Sequence, residues 1–337
     1  MKKKPYKRVE FPLAEPLYST YQYQGLATAL AVNNPSIRNY YLSHVMNLSC
    51  TKKFLHGFTT PEITIPESQW CKNPYFIIKK YDAQFLGGHV HHVIRKLLDA
   101  GYYVCYSGVD DFYVEGKSFF GERHFSHDGC ICGYDTADKS YCIYAYDKSW
   151  VYRKFWASRA SLDRGRRAME RQGVFGRLWG ILPTDEQVAF DPTAALDHIA
   201  EYLDSSLERY PVDGEGAVYG TAVHDYIALY LDKLYDGSIP HERLDSRVFR
   251  LIWEHKKAML ERMRLIEDAF RLDHSLSEAY EEVVSAADHC RMLYASHRVK
   301  ERREVLPFIR RKLLALKDPE REILQALYQK TNGGKRI

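Results

Sequence analysis

The sequence predicts a chain in two parts, a mixed α and β half followed by an α-helical half, with the join near residues 183–192. Three observations predict it. Runs rich in β-branched and aromatic residues alternate with short helical stretches over the first half. Glycines and prolines then punctuate the chain as far as Pro192. Beyond Pro192, apolar residues recur at three-to-four spacing almost throughout.

Each element follows from local chemistry. Pro5, Pro12 and Pro16 keep residues 1–20 out of helix, so they read as an extended arm. Ser19–Asn34 reads as a short helix with a small-residue face, and "PSIRNYYLSHVMNL" as another. "FTTPEITIPESQW" reads as loop and strand. A clearer helix ends near Asp99-Ala100-Gly101, where glycine is a stop signal, and Tyr102–Ser107 follows as a strand. "GCICGY" and "YCIYAYD" are the arms of a hairpin turning at Asp135–Ser140. From Val151 to Leu182 the chain is arginine-rich. In the second half, Leu196, Ile199, Tyr202 and Leu203 form one helical stripe, and Val223, Tyr226, Ile227, Tyr230, Leu231 and Leu234 another. The longest helix is expected over Ser246–Leu272, with an apolar stripe from Phe249 to Ile266 broken only by Lys256. Asp318 is placed as an N-cap with Pro319 at the first helical position.

The composition excludes several classes. With 337 residues, 45% hydrophobic and 27% charged, the chain has a globular make-up and not that of a disordered chain. A net charge of +4 is too small to argue for nucleic acid, and no recognition motif accompanies the basic runs. The basic start is followed by no apolar region of a secretory signal, and no run of about 18 apolar residues predicts a membrane span. Seven irregularly spaced cysteines read as reduced thiols of a cytoplasmic protein.

The hairpin carries the first functional signal. If its turn centres on Ala137, paired positions sum to about 274 or 275, so His127 faces Asp147 or Lys148. A carboxylate on one imidazole nitrogen leaves the other free as a base, which is the orienting half of a catalytic triad. The same pair also reads as a structural hydrogen bond, and geometry alone leaves both open.

"HFSHDGCICGYD" with the following "YAYD" resembles the His-x-x-x-x-x-Gly-Tyr-Asp…Asp hairpin of papain-like cysteine enzymes. It is similar to peptidase C39-like proteins and to the N-terminal domain of butirosin biosynthesis protein H. "LLDAGYYVCYSGVDDFYV" also looks like that family's helix, strand and Asp-x-Tyr element, and the likeness covers residues 15–150. It implies an α+β fold, with a papain-like domain over 1–185 and an all-α helical domain over 186–337. It also implies acyl or aminoacyl transfer in bacterial secondary metabolism, such as nonribosomal peptide synthesis. The donor would be an acyl carrier protein or a carrier-tethered acyl or peptidyl group, and the acceptor a small amine or peptide. No cofactor is implied. By the resemblance His127 is the general base and Asp147 its orienting acid. "DSRVFRLIWEHKKAMLERM" in the second half resembles segments of the same butirosin-H-like proteins; its lone His255 is left out of the site.

The resemblance places a cysteine at the start of the first central helix, where the helix dipole stabilises a thiolate. "QGLATAL" resembles the family's Cys-Gly-x-Ala-x-Leu, which puts Gln24 in the cysteine slot. Glutamine forms no acyl thioester. Cys50, Cys105, Tyr23 and Ser19 are the candidate replacements, and a non-covalent route through His127 is the other. Two readings therefore stand: a transferase-like enzyme, or a degenerate relative that binds an acyl carrier or peptide intermediate as an accessory protein.

The remaining signals have structural readings beside the functional ones. His124, His127, Cys130 and Cys132 together suggest zinc, but Cys-x-Cys in a strand is not the spacing of a zinc knuckle. His89 and His92 share a helical face at i,i+3, read as an exposed face ahead of a metal site. The arginines of 153–177 suit either a solvated connector or phosphate groups, such as a phosphopantetheine arm.

Overall fold

A computed structural model describes residues 6–57, 59–205 and 216–332. The first five residues of the basic arm lie outside them. In chain order the elements are β1 (Arg8–Glu10), α1 (Gln22–Ala29), α2 (Pro35–His44), β2 (Ser49–Thr51), β3 (Ile63–Thr64), β4 (Phe76–Asp82), α3 (Val90–Asp99), β5 (Tyr103–Asp110), β6 (Ser126–Asp135), β7 (Ser140–Tyr146), β8 (Tyr152–Ser158), α4 (Arg159–Glu170) and β9 (Arg177–Pro183). Then come α5 (Pro192–Asp204), β10 (Ala217–Tyr219), α6 (Val223–Tyr235), α7 (Arg247–Phe270), α8 (Ser275–Lys300), α9 (Leu306–Ala315) and α10 (Lys317–Thr331). The class is α+β with a helical C-terminal region.

The chain divides into two compact units, residues 1–37 with 70–187, and residues 38–69 with 188–337. The second unit thus includes a segment that the sequence assigned wholly to the first half. The reason is local pairing and capping. β2 pairs with both β10 and β3 in a small antiparallel sheet. Arg262 on α7, fully buried, donates to the carbonyls of Leu42 (2.8 Å), Tyr41 (3.1 Å) and Val45 at the end of α2. His255, one heptad before it, is hydrogen-bonded through Nε2 to the Met46 carbonyl at 2.7 Å. These bonds satisfy carbonyls that a helix end leaves without partners.

The first unit is built on an antiparallel sheet of order β4-β9-β5-β6-β7-β8, with β1 paired to β6 beside the end of β5. One core joins Val104, Ile131, Ile143 and Leu178 of the sheet to Ile94 and Leu97 of α3 and Leu162 of α4. The helix stop at Gly101 holds: it adopts φ +86°, open to glycine at little cost. The arginine-rich stretch is more ordered than a connector, forming β8, α4 and β9. Its alternating and three-to-four apolar positions, such as Ala157, Leu162, Met169 and Leu178, are buried. α1 lies close to β8. A Cβ on Gly25 would stand 2.6 Å from the Tyr152 ring, so only glycine permits this approach.

In the second unit the helical spacing is borne out, with two shifts. α8, at 26 residues, is longer than α7, at 24. Asp318 lies inside the first turn of α10, because the helix starts at Lys317, two residues before Pro319. Lys256, the one break in the α7 stripe, is fully buried. Its Nζ lies 2.7 Å from both Glu320 oxygens and 2.7 Å from the Tyr202 hydroxyl, and Tyr280 donates to Glu320 at 2.6 Å. Such a pair is tolerable in the interior because every partner is satisfied.

His224 stands 4.0 Å from Glu320 in this cluster. Burial, reinforced by the charge of Lys256, pushes its imidazole down to about 4 from 6.5. The unfolded chain therefore binds the proton first. His224 contributes its stability above about pH 6.5 and loses it as pH falls toward 4, by on the order of 3 kcal/mol at most. Denaturant midpoints should fall across that window, and His224→Gln should flatten the fall.

Candidate functional site

β5 and β6 pair in antiparallel register with Val109 opposite His127 and Asp110 opposite Ser126. The residue after that ladder, Asp111, turns beneath the imidazole. Its Oδ2 lies 3.0 Å from His127 Nδ1. Asp111 is fully buried, and its Oδ1 forms an ion pair at 3.2 Å with Lys117, also fully buried. Lys117 Nζ donates in turn to the Asp128 carbonyl at 2.5 Å. Burial holds the Lys117 ammonium below the usual lysine range, and the charge of Asp111 opposes that fall.

On the other side of His127 stands Gln22, the first residue of α1. Its Nε2 lies 2.6 Å from His127 Nε2 and 3.3 Å from Nδ1 of the same ring. With Nδ1–H donating to Asp111, Nε2 is left as the acceptor and the Gln22 amide donates to it. The Gln22 carbonyl accepts from the Tyr152 hydroxyl at 3.1 Å, which fixes the start of α1 over β8. Gln22 Oε1 is buried without a hydrogen-bond partner among the described residues. His127 keeps about a quarter of its side chain exposed, at 26%, so the site is reachable.

Two residues of the expected site fall elsewhere. Asp147 does not serve His127. The predicted index sum does hold along the hairpin, from Asp135↔Ser140 to Cys130↔Tyr144 across a bulge. The ladder stops there, because Lys117 and Ser118 take the place beside β7: Lys117 bridges to Asp147, and Ser118 donates to the Tyr146 carbonyl at 3.2 Å. Asp147 instead closes a turn, accepting at 2.9 Å from the amides of Ser149 and Val151 and pairing with Arg153. Burial alone would raise its carboxyl, but those donors and Arg153 hold it below the usual carboxylate range. Gln24 does not face the imidazole either. Residues two apart on a helix point about 200° apart, so with Gln22 toward His127, Gln24 turns inward, where it is fully buried.

Tyr23 lines a cavity of about 80 Å³ next to the site, with Gln22, Leu26, Trp70, Cys105 and Cys130. Neither cysteine raised as a replacement, Cys50 or Cys105, is hydrogen-bonded to His127 among the described residues. Cys105 and Cys130 sit opposite each other in the β5–β6 ladder, and burial pushes the Cys130 thiol well up. Cys50 belongs to the second unit, in β2, and burial pushes its thiol up to about 12. His124 pairs with Asp110 at 2.7 Å. His89 and His92 are exposed, while the buried His91 lies 2.9 Å from the Tyr141 hydroxyl and 2.8 Å from Asp163. No group of three or more His, Cys, Asp or Glu is arranged to hold a metal among the described residues. No helix among them is long and apolar enough to cross a membrane.

The arrangement is an oriented imidazole, with a buried carboxylate behind it and a carboxamide in front. Sequence reading missed Gln22, Asp111 and Lys117. The available signal was "GVDDFYV", two aspartates where a strand beside the hairpin ends. Neither a protein-family model nor a curated protein sequence matches the chain.

Two outcomes follow from this geometry. Asp111→Ala strands Lys117 in the interior and should cost about 3–5 kcal/mol, whereas Asp147→Ala, whose Arg153 partner is exposed, should cost about 1 kcal/mol. Unfolding in urea at neutral pH separates them. Gln22→Cys should place a thiol against His127. Its alkylation by iodoacetamide at pH 6 should exceed that of Gln22→Cys/His127→Ala by about tenfold, as expected of an imidazole-paired thiolate.

Proposed function

We propose that this chain is a papain-like relative of the butirosin-H-like and peptidase C39-like proteins in which a carboxamide stands where the family keeps its cysteine. On this reading it acts as an accessory binding protein for a short acyl, aminoacyl or peptidyl group presented on a carrier protein. The observation that carries the reading is the 2.6 Å approach of Gln22 Nε2 to His127 Nε2. An amide there cannot be acylated, yet it offers a donor and a buried carbonyl oxygen to a bound amide or thioester. The adjoining cavity is small and lined mainly by apolar and aromatic side chains, which suits the end of a short acyl chain.

A second reading keeps the chain as a transferase, with His127 as a base that deprotonates an amine attacking a carrier-bound thioester directly. The intact His127–Asp111 pair favours it. That route requires Gln22 to swing off the imidazole.

A butyryl thioester of N-acetylcysteamine, with glycine amide as acceptor, separates the two. Binding alone predicts saturable association that Gln22→Ala weakens, no cysteine-linked mass increase on any of the seven cysteines and no amide product. Amide formation that is lost in His127→Ala, with the melting temperature unchanged, supports transfer and overturns the accessory reading. A stable acyl adduct on a cysteine overturns both.

A further inference from the structure

A groove of the first unit lined by several cationic side chains lies outside the His127 site. It has a volume of about 440 Å³ and is lined by Gly88, His91, His92, Arg95, Lys96 and Asp99 from the α3 region and by Arg159 at the start of α4. Its one acid is already engaged: Asp99 pairs with Lys7 at 2.5 Å and accepts from Tyr134 at 2.6 Å. The wall at His91 is fixed by Asp163 and Tyr141. Arg95, Lys96 and Arg159 form no ion pair among the described residues, and Arg95 Nε is buried without a hydrogen-bond partner. The Arg95 guanidinium lies 5.3 Å from the ring centre of the buried Tyr134, so its fork is held in place.

We propose that this groove binds a small phosphorylated ligand, with its phosphate between Arg95, Lys96 and Arg159. Cations gathered in one concavity whose single acid, Asp99, is shared with Lys7 repel one another, and a phosphate dianion relieves that repulsion while accepting the planar donors of arginine. The groove is large enough for a small molecule and not only a bare ion. In the arginine run Arg153 pairs with Asp147, Arg166 with Glu170, and Arg177 with Asp82 at 3.2 Å; of its members without an ion pair among the described residues, Arg159 lines the groove. Arg95, Lys96 and Arg159 line one concavity of about 440 Å³, a size that favours a compact ligand over an extended nucleic-acid backbone.

The test is calorimetric titration of the whole chain with inorganic pyrophosphate and with ribose 5-phosphate, at about 0.15 M salt to suppress diffuse attraction. The expected result is saturation at one site with a dissociation constant below about 1 mM, raised about tenfold by Arg95→Gln and by Arg159→Gln and only partly restored in Arg95→Lys. Arg159 is exposed, so its substitution leaves the fold intact and keeps the test decisive. Arg311→Gln, an equal charge change on the other unit, should leave the affinity within about twofold. Three results overturn the proposal. These are no saturation by about 10 mM ligand, an equal loss in Arg311→Gln, or a single-stranded oligonucleotide binding about a hundredfold tighter than ribose 5-phosphate, which reassigns the groove to nucleic acid.

Discussion

The antiparallel pairing of Val109 with His127 is the constraint on which the candidate site depends. It sets β5 alongside the first half of β6, so that the chain leaving β5 must pass under the imidazole. Asp111 is the residue that does so. Its carboxylate enters a fully buried position, tolerable only because His127 takes one oxygen and Lys117 faces the other. Lys117 can be there because its stretch of chain replaces β6 as the neighbour of β7. One change of strand partner thus accounts for both the orienting acid and its counter-charge.

α1 supplies the other side, and its placement is a matter of close approach. Gly25 lets the helix sit against the Tyr152 ring, and the Tyr152 hydroxyl holds the Gln22 carbonyl. The first side chain of the helix then meets the imidazole. A helix start beside an imidazole is a place that would activate a thiol, through the dipole and the neighbouring base. Here the same position holds an amide, which converts an activating environment into a hydrogen-bonding one. Each unit contains a fully buried lysine–carboxylate pair, but the two differ in outlook. Lys256 and Glu320 close on two tyrosines, whereas Lys117 and Asp111 end at a partly exposed histidine.

Much of this was legible in the residues. The hairpin and its turn, the helix stop at Gly101, the stripe on α7 and the place of His127 on the first hairpin arm follow from spacing and residue type, because those properties are set by near neighbours. The hairpin register was also legible up to Cys130 and Tyr144. Asp147 was misread because continuing that register assumes the two arms stay partners, and nothing local announces that Lys117 and Ser118 displace one of them. Gln24 was misread because motif alignment has no helical phase, and a shift of two residues on a helix turns a side chain to the opposite face. The assignment of 38–69 to the second unit was hidden for a similar reason. The buried Arg262 and His255 that hold that segment look, in sequence, like the charged face of an amphipathic helix.

The sequence by itself determined where the hairpin, the helix before Gly101 and the helical stripes of the second half form, and that a histidine sits on the hairpin, since these depend on propensity, capping and periodicity over a few residues. Tertiary structure alone decided which aspartate orients that histidine, which glutamine faces it and which arginines are left without a partner. Those choices are contacts between residues as far apart as Gln22 and His127, and they are set by strand partnership and helix phase rather than by any local preference.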